Sequence, residues 1–131
     1  MPYSQQWMIG ATLALLGVGA SAQDVVRIGH VGPTSGPIAH LGKDNELGAR
    51  MAIDELNAKG VVIGGKKVKL ELQGEDDAGD PRQGTAAAQK LVDAKVHAVV
   101  GHLNSGTPIP ASKIYSDAGI AQVSPSATNP K

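Results

Sequence analysis

Hydroxyls, small residues and turn formers gather at four places in this sequence: residues 30–42, 75–81, 101–107 and 124–130. Two of these blocks carry groups suited to holding a small charged molecule. Ser105, Gly106 and Thr107 stand at the expected start of a helix, just after a strand that ends near Gly101. A helix N-terminus offers unpaired N–H groups and partial positive charge, which suits a carboxylate. Ser126, Ala127 and Thr128 follow the next strand. The Thr128 hydroxyl can donate to the same carboxylate, and a main-chain carbonyl near Ser126 can accept from an ammonium. The same residues also suit plainer duties, since Ser105 or Thr107 can cap a helix and Ser126 and Thr128 can make turns. The residues alone leave both readings open.

Other candidate chemistry is weaker. Gly60–Lys67 (GVVIGGKK) nearly matches a phosphate-binding loop, but Lys67 stands where Ser or Thr would meet magnesium. The segment also follows a helix and precedes a strand, the reverse of that motif, so it reads as a turn with solvated lysines. Ser35, Ser105 and Ser126 lack a nucleophile elbow, and the glycines after Gly29 do not form a dinucleotide fingerprint. His30, His40, His97 and His102 are scattered without a zinc spacing. His97 reads as a core residue of an apolar strand, whereas His40 and His102 fall on candidate ligand loops. Glu75, Asp76, Asp77 and Asp80 lack calcium-loop spacing and read as a polar strand end plus a helix cap. No pattern calls for a metal or an organic cofactor.

The elements that must position these groups alternate. Val25–Val31 is a strand, ended by Gly32 and Pro33. A helix runs from about Lys43 to Ala58, with Ala49, Ala52, Ile53 and Leu56 on one stripe and Gly60 as its C-terminal cap. Val61–Ile63, a Gly64-Gly65 turn and Lys67–Leu72 make strand, turn and strand, with Val68, Leu70 and Leu72 on one face. Asp80 caps a helix that opens with Pro81 and continues to about Ala94. Val96–Val100 is a buried strand, Thr107–Ala118 a helix and Ile120–Val123 the next strand. This order predicts an α/β fold with a Rossmann-like, doubly wound parallel sheet. In such a sheet the loops at the carboxyl ends of the strands converge on the ligand crevice, and the four polar blocks are those loops.

Composition narrows the partners. Lys+Arg and Asp+Glu each number 12, so no basic footprint for nucleic acid or an anionic membrane is present. The aromatic residues are Tyr3, Trp7 and Tyr115, too few for base stacking. There is no cysteine, which excludes disulfides, thiolate nucleophiles and Cys-ligated metals. Residues 8–20 form an uncharged apolar run followed by Ala20-Ser21-Ala22, a small-x-small cleavage pattern. The run is shorter than the roughly 20 residues of a membrane span. Residues 1–22 therefore read as a secretory signal peptide, although residues 1–7 contain no Lys or Arg. Cleavage would leave Gln23 first, and the absence of cysteine there predicts a soluble product without a lipid anchor. The sequence stops in a polar loop straight after a strand, so residues 23–131 are expected to be the N-terminal part of a larger lobe.

Several blocks together resemble the branched-chain amino acid-binding proteins, the leucine/isoleucine/valine branch of the type I solute-binding family of ABC transporters. They are Gly36-Pro37-Ile38-Ala39, Asp54–Gly60, Asp76–Pro81, Gly101-His102-Leu103 and the stretch from Pro110 to Thr128. The resemblance implies two Rossmann-like lobes closing on a ligand, with this chain forming part of the first lobe. It implies a non-catalytic periplasmic protein that passes an amino acid to permease subunits in the inner membrane. It also implies that Ser105 and Thr128 bind the α-carboxylate and that Thr128 and the main chain at Ser126 help bind the α-ammonium. Gly106, Ala127 and Leu41 complete the expected ligand contacts. Gly79 and Asn104 stand where the best-known members carry a disulfide pair, Leu41 where they carry an aromatic residue, and Ser126 where they carry a small apolar one. The last two departures leave an amide, urea or an aromatic acid as alternative ligands. The extracellular sensing domain of a receptor is the alternative role.

Overall fold

The computed structural model describes residues 22–130. The apolar run at 8–20 and all but the last residue of the expected cleavage pattern lie outside them. In chain order the elements are β1 (Asp24–Gly32), α1 (Ala39–Lys59), β2 (Val61–Ile63), β3 (Lys66–Asp76), α2 (Pro81–Asp93), β4 (Ala98–Gly101), α3 (Pro108–Asp117) and β5 (Ala121–Val123). They build one sheet in the order β2-β3-β1-β4-β5. β3, β1, β4 and β5 run parallel, and β2 joins as an antiparallel edge.

Helices cover both faces, as the doubly wound reading requires. On one face α1 lays Ile53 against Val68 and Leu70, with Val26, Ile28 and Leu72 packed around them. On the other, α2 and α3 bury Ala87, Ala88, Leu91, Ala111 and Tyr115 against Val31 and Val99. Alternation along the strands makes this division. Ile28 and Val31, three residues apart on β1, point to opposite faces.

Three local features follow from residue chemistry. Gly64 and Gly65 both take positive φ (59° and 80°), as a two-residue hairpin turn between β2 and β3 demands. Asp80 caps α2, its Oδ1 accepting from the amides of Arg82 (2.9 Å) and Gln83 (3.0 Å), with Pro81 next in the first turn. Gly60 closes α1 at φ 81° and donates to Leu56 and Asn57.

Other boundaries move. α1 begins at Ala39, four residues before the expected start, so Leu41 is helical. β3 continues past Leu72 to Asp76, because its polar end pairs with β1 as far as Gly32↔Asp76. His97 is not a core residue of a strand. It is exposed and precedes β4, where its amide donates to the Arg27 carbonyl (2.8 Å) and its Nδ1 accepts from the Arg27 amide (3.1 Å). The imidazole thus stands in for a missing ladder carbonyl.

Candidate functional site

The chain runs from β1 out to β3 on one side, then returns to β4 on the other side of β1. β1 and β4 therefore flank the point where the winding reverses, the place where open α/β sheets bind ligands. A cleft of about 430 Å³ opens there, lined by Leu41, Asp44, Asn45, Leu103 and Ser126. Three connections supply these residues: α1 after β1, the turn after β4 and the loop after β5.

Leu41, Asp44 and Asn45 lie at i, i+3 and i+4 on α1 and so share one helix face. The helix itself is held against the loop Pro33–Ile38 by a close backbone approach at Gly42, beside that face. A side chain on Gly42 would collide with the Pro33 carbonyl. The loop is itself tied to β3. Asp76 accepts from the amides of Thr34 (2.8 Å), Ser35 (3.3 Å) and Ala78 (2.8 Å) and from the Ser35 hydroxyl. Burial alone would raise the Asp76 carboxyl, but the Ser35 hydroxyl and these amides outweigh it and hold it below the ordinary carboxylate value.

The turn after β4 differs from expectation. α3 starts at Pro108, so Ser105, Gly106 and Thr107 precede the helix instead of opening it. Pro108 and Pro110 have no N–H, and the Thr107 amide already donates to the Asn104 carbonyl (3.1 Å). The free N–H groups expected at this helix end are thus largely missing. Thr107 is fully buried and its hydroxyl bonds the Asn104 carbonyl (2.8 Å), so it closes the turn and does not cap α3. The Ser105 hydroxyl accepts from the Asn129 amide (3.2 Å), which draws the β4 turn and the β5 loop together.

In the loop after β5, Asn45 Nδ2 donates to Ser126 Oγ (2.8 Å). The Ala127 amide donates to Ser124 Oγ (2.9 Å), and Ser124 Oγ donates to the His102 carbonyl (2.6 Å). The structure thus brings Leu41 and Ser126 into one cleft and sets Ser105 against the same loop. Gly106 and Thr128 are exposed, and Ala127 is half-buried. None of Ser105, Gly106, Ala127 and Thr128 lines the cleft. Asp44, Asn45 and Leu103 line the cleft without any signal in the sequence pattern that marks them. A helix begun four residues earlier would have put Asp44 and Asn45 on the face of Leu41.

Of the two histidines assigned to candidate loops, His40 is exposed in the first turn of α1 and does not line the cleft. His102 is fully buried beneath the site, between Asp77 Oδ2 (3.1 Å) and the Tyr115 hydroxyl (3.0 Å). Burial, reinforced by the Asp77 charge, raises the Tyr115 hydroxyl well above the ordinary phenol value. Gly79 and Asn104 are neighbours: a Cβ on Gly79 would lie 3.5 Å from Asn104 Oδ1. The two positions that the resemblance pairs are therefore adjacent. Among the described residues no helix is long and apolar enough to cross a membrane.

An apolar wall of Leu41 and Leu103 beside Asp44, Asn45 and Ser126 suits a small amphiphilic molecule. Known proteins share this fold and much of this sequence. The chain is 47% identical over 113 residues to the leucine-specific-binding protein of Salmonella typhimurium, which covers 86% of this chain and 30% of that protein. The branched-chain amino acid transporter substrate binding protein LivJ from Streptococcus pneumoniae, solved with isoleucine, superposes with a TM-score of 0.74 at 34% identity. That match covers 82% of this chain and 30% of LivJ. An ABC transporter substrate-binding protein from Desulfitobacterium hafniense, solved with Leu, gives a TM-score of 0.68 at 37% identity over 82% of this chain and 30% of its own. The chain thus spans about 30% of the length of the relatives it matches. Residues 25–131 match the periplasmic binding protein family, and with that match over most of its length the chain belongs to this family.

Proposed function

We propose that residues 23–131 are part of the first ligand-binding lobe of a periplasmic solute-binding protein, with residues 1–22 as its export signal. The protein passes a branched-chain or related amino acid to the permease subunits of an ABC importer and performs no chemistry on it. One observation carries this reading: Leu41, Leu103 and Ser126, from three connections, share a cleft at the winding reversal of the sheet. The cleft is open on one side, as half of a site completed by a second lobe must be. Ligand contacts to both lobes then favour the closed state. The relatives named for leucine, or solved with isoleucine or Leu, support an amino acid as cargo.

In this reading the hydroxyls of Ser105 and Thr128 hold the ligand carboxylate, with Gly106 and Ala127 beside them. Thr128 and the main chain at Ser126 take the ammonium, and Leu41 meets the ligand side chain. The two prolines of α3 leave the carboxylate to these hydroxyls and turn amides more than to a helix end. Calorimetry of the full-length protein with L-leucine, L-isoleucine and L-valine, beside leucinamide, urea and benzoate, tests the assignment. Saturable binding of an amino acid is expected, weakened by about 1–3 kcal/mol in Ser105→Ala and in Thr128→Ala. Binding of only the amide, urea or benzoate overturns the cargo, and unchanged affinity in both variants overturns the site.

A further inference from the structure

His102 bonds through both its side chain and its main chain, to different parts of the fold. The imidazole is fixed at both ring nitrogens, Nδ1 to Asp77 Oδ2 (3.1 Å) and Nε2 to the Tyr115 hydroxyl (3.0 Å). The side chains of Asp77 and His102 are fully buried, and Tyr115 is 1% exposed. Asp77 is anchored in turn, accepting from the Gly79 amide at Oδ1 (2.9 Å). The His102 carbonyl accepts from Ser124 Oγ (2.6 Å). Ser124 Oγ then receives the amides of Ala127 (2.9 Å) and, more weakly, Ser126 (3.4 Å). A continuous hydrogen-bonded path runs from the buried Asp77 to the loop that carries the candidate ligand groups.

The proton count along this path is consistent. For a carboxylate at Asp77 beside a neutral imidazole, the ring proton sits on His102 Nδ1. Nε2 is then an acceptor, and the Tyr115 hydroxyl donates to it. The Ser124 hydroxyl gives its one proton to the His102 carbonyl and keeps its lone pairs for the two amides. Both ring nitrogens and the carbonyl of His102 are used, and none of these bonds needs a ligand.

We propose that His102 is a positioning residue for the ligand loop, with Ser124 transmitting its placement to the main chain at Ser126 and Ala127. The ligand half of this statement rests on the function proposed above; the coupling itself does not. Gly101 and Gly84 show how tightly the placement is made. A side chain on Gly101 would strike the Val31 carbonyl, and one on Gly84 would lie 3.4 Å from His102 Nδ1. The imidazole and its strand end thus have little room to shift. Ser124, by contrast, sits half-buried in a loop, so its hydroxyl can be removed without opening the core.

Nitrogen-15 NMR of the ligand-free full-length protein, followed by L-leucine titration, tests the coupling. The His102 imidazole is expected in the Nδ1–H tautomer. Tyr115→Phe should shift the Nε2 resonance by removing the hydroxyl bonded to it, and should also move the Ala127 amide, which that hydroxyl does not touch. Ser124→Ala should move the Ser126 and Ala127 amides and weaken L-leucine binding on the order of tenfold, as one lost hydrogen bond allows. Ser124→Thr, which keeps the hydroxyl, should restore both. A purely structural role of the imidazole would lower the melting temperature of Tyr115→Phe but leave its Ala127 amide and its L-leucine affinity unchanged. An Nε2–H tautomer, or an Ala127 amide unmoved in a folded Tyr115→Phe variant, overturns the proposal. If the wild type binds no L-leucine, the proposed cargo fails, while the amide shifts still decide the coupling.

Discussion

Asn45 and Ser126 lie 81 residues apart in sequence and meet through a 2.8 Å hydrogen bond from Asn45 Nδ2 to Ser126 Oγ. The bond fastens the first helix to the last loop across the mouth of the cleft that both residues line. It bridges β1 and β5 connections that the sheet itself joins only through β4. Residues in direct contact show interaction energies of roughly 0.5–3 kcal/mol. A double-mutant cycle of Asn45→Ala and Ser126→Ala is therefore expected to give about 1 kcal/mol of coupling in urea unfolding. Strictly additive single changes would show that the bond contributes nothing in solution.

Asn57 does comparable work at the far side of α1. β2 pairs with β3 only from Lys66 to Val68, which leaves the outer edge of β3 open beyond that point. Asn57 closes it at Leu70, donating Nδ2 to the Leu70 carbonyl (2.8 Å) and accepting the Leu70 amide at Oδ1 (2.8 Å). Asn57→Leu removes both partners and should cost about 1–3 kcal/mol. The exposed edge should also make the variant aggregate at concentrations where the wild type does not. Equal denaturation midpoints and equal light scattering would refute this role.

Periodicity made the doubly wound sheet legible, because Val68, Leu70 and Leu72 alternate and Ala49, Ala52, Ile53 and Leu56 form a stripe. The ends of elements were less legible. Gly42 is a weak helix former and obscures the first turn of α1. Gln73–Asp76 is polar, yet tertiary pairing with β1 keeps it a strand. The same effect hid half the site. Leu41 and Ser126 were visible as positions, but Asp44 and Asn45 join them only once α1 begins at Ala39. The position of His97 is not legible either, because an apolar run does not reveal that a side-chain nitrogen replaces a ladder carbonyl.

The two glycines of α1 have opposite roles and predict opposite outcomes. Gly42 is buried where its backbone meets Pro33, and an added methyl would strike the Pro33 carbonyl. Gly42→Ala should force α1 away from the Pro33–Ile38 loop and cost about 1–3 kcal/mol as overpacking. Gly48 faces open space on the same helix. Gly48→Ala should stabilise by about 1 kcal/mol through helix propensity. Thermal melts of the two variants check both signs, and a shift in the same direction for both would contradict the packing described.

His30 predicts how stability depends on pH. It is 1% exposed at the end of β1, and neither ring nitrogen has a hydrogen-bond partner among the described residues. Burial lowers its pKa below 6.5; the charges of Glu46 and Asp77 oppose this without reversing it. The folded state therefore holds a neutral imidazole at a pH where the unfolded chain already binds a proton. Its contribution to stability is complete above 6.5 and is lost as pH falls from there through the lower folded value. Asp76, held below the ordinary carboxylate value, loses its contribution only at more acidic pH, so the two effects separate. His30→Leu keeps an apolar group of similar size facing α1 and removes the titration. Urea midpoints at about pH 7.5 and about pH 5.5 should fall between the two for the wild type and change less for His30→Leu. Equal acid losses in the two proteins would place the sensitivity elsewhere, and a gain in stability toward acid in the wild type would reverse the sign argued for His30.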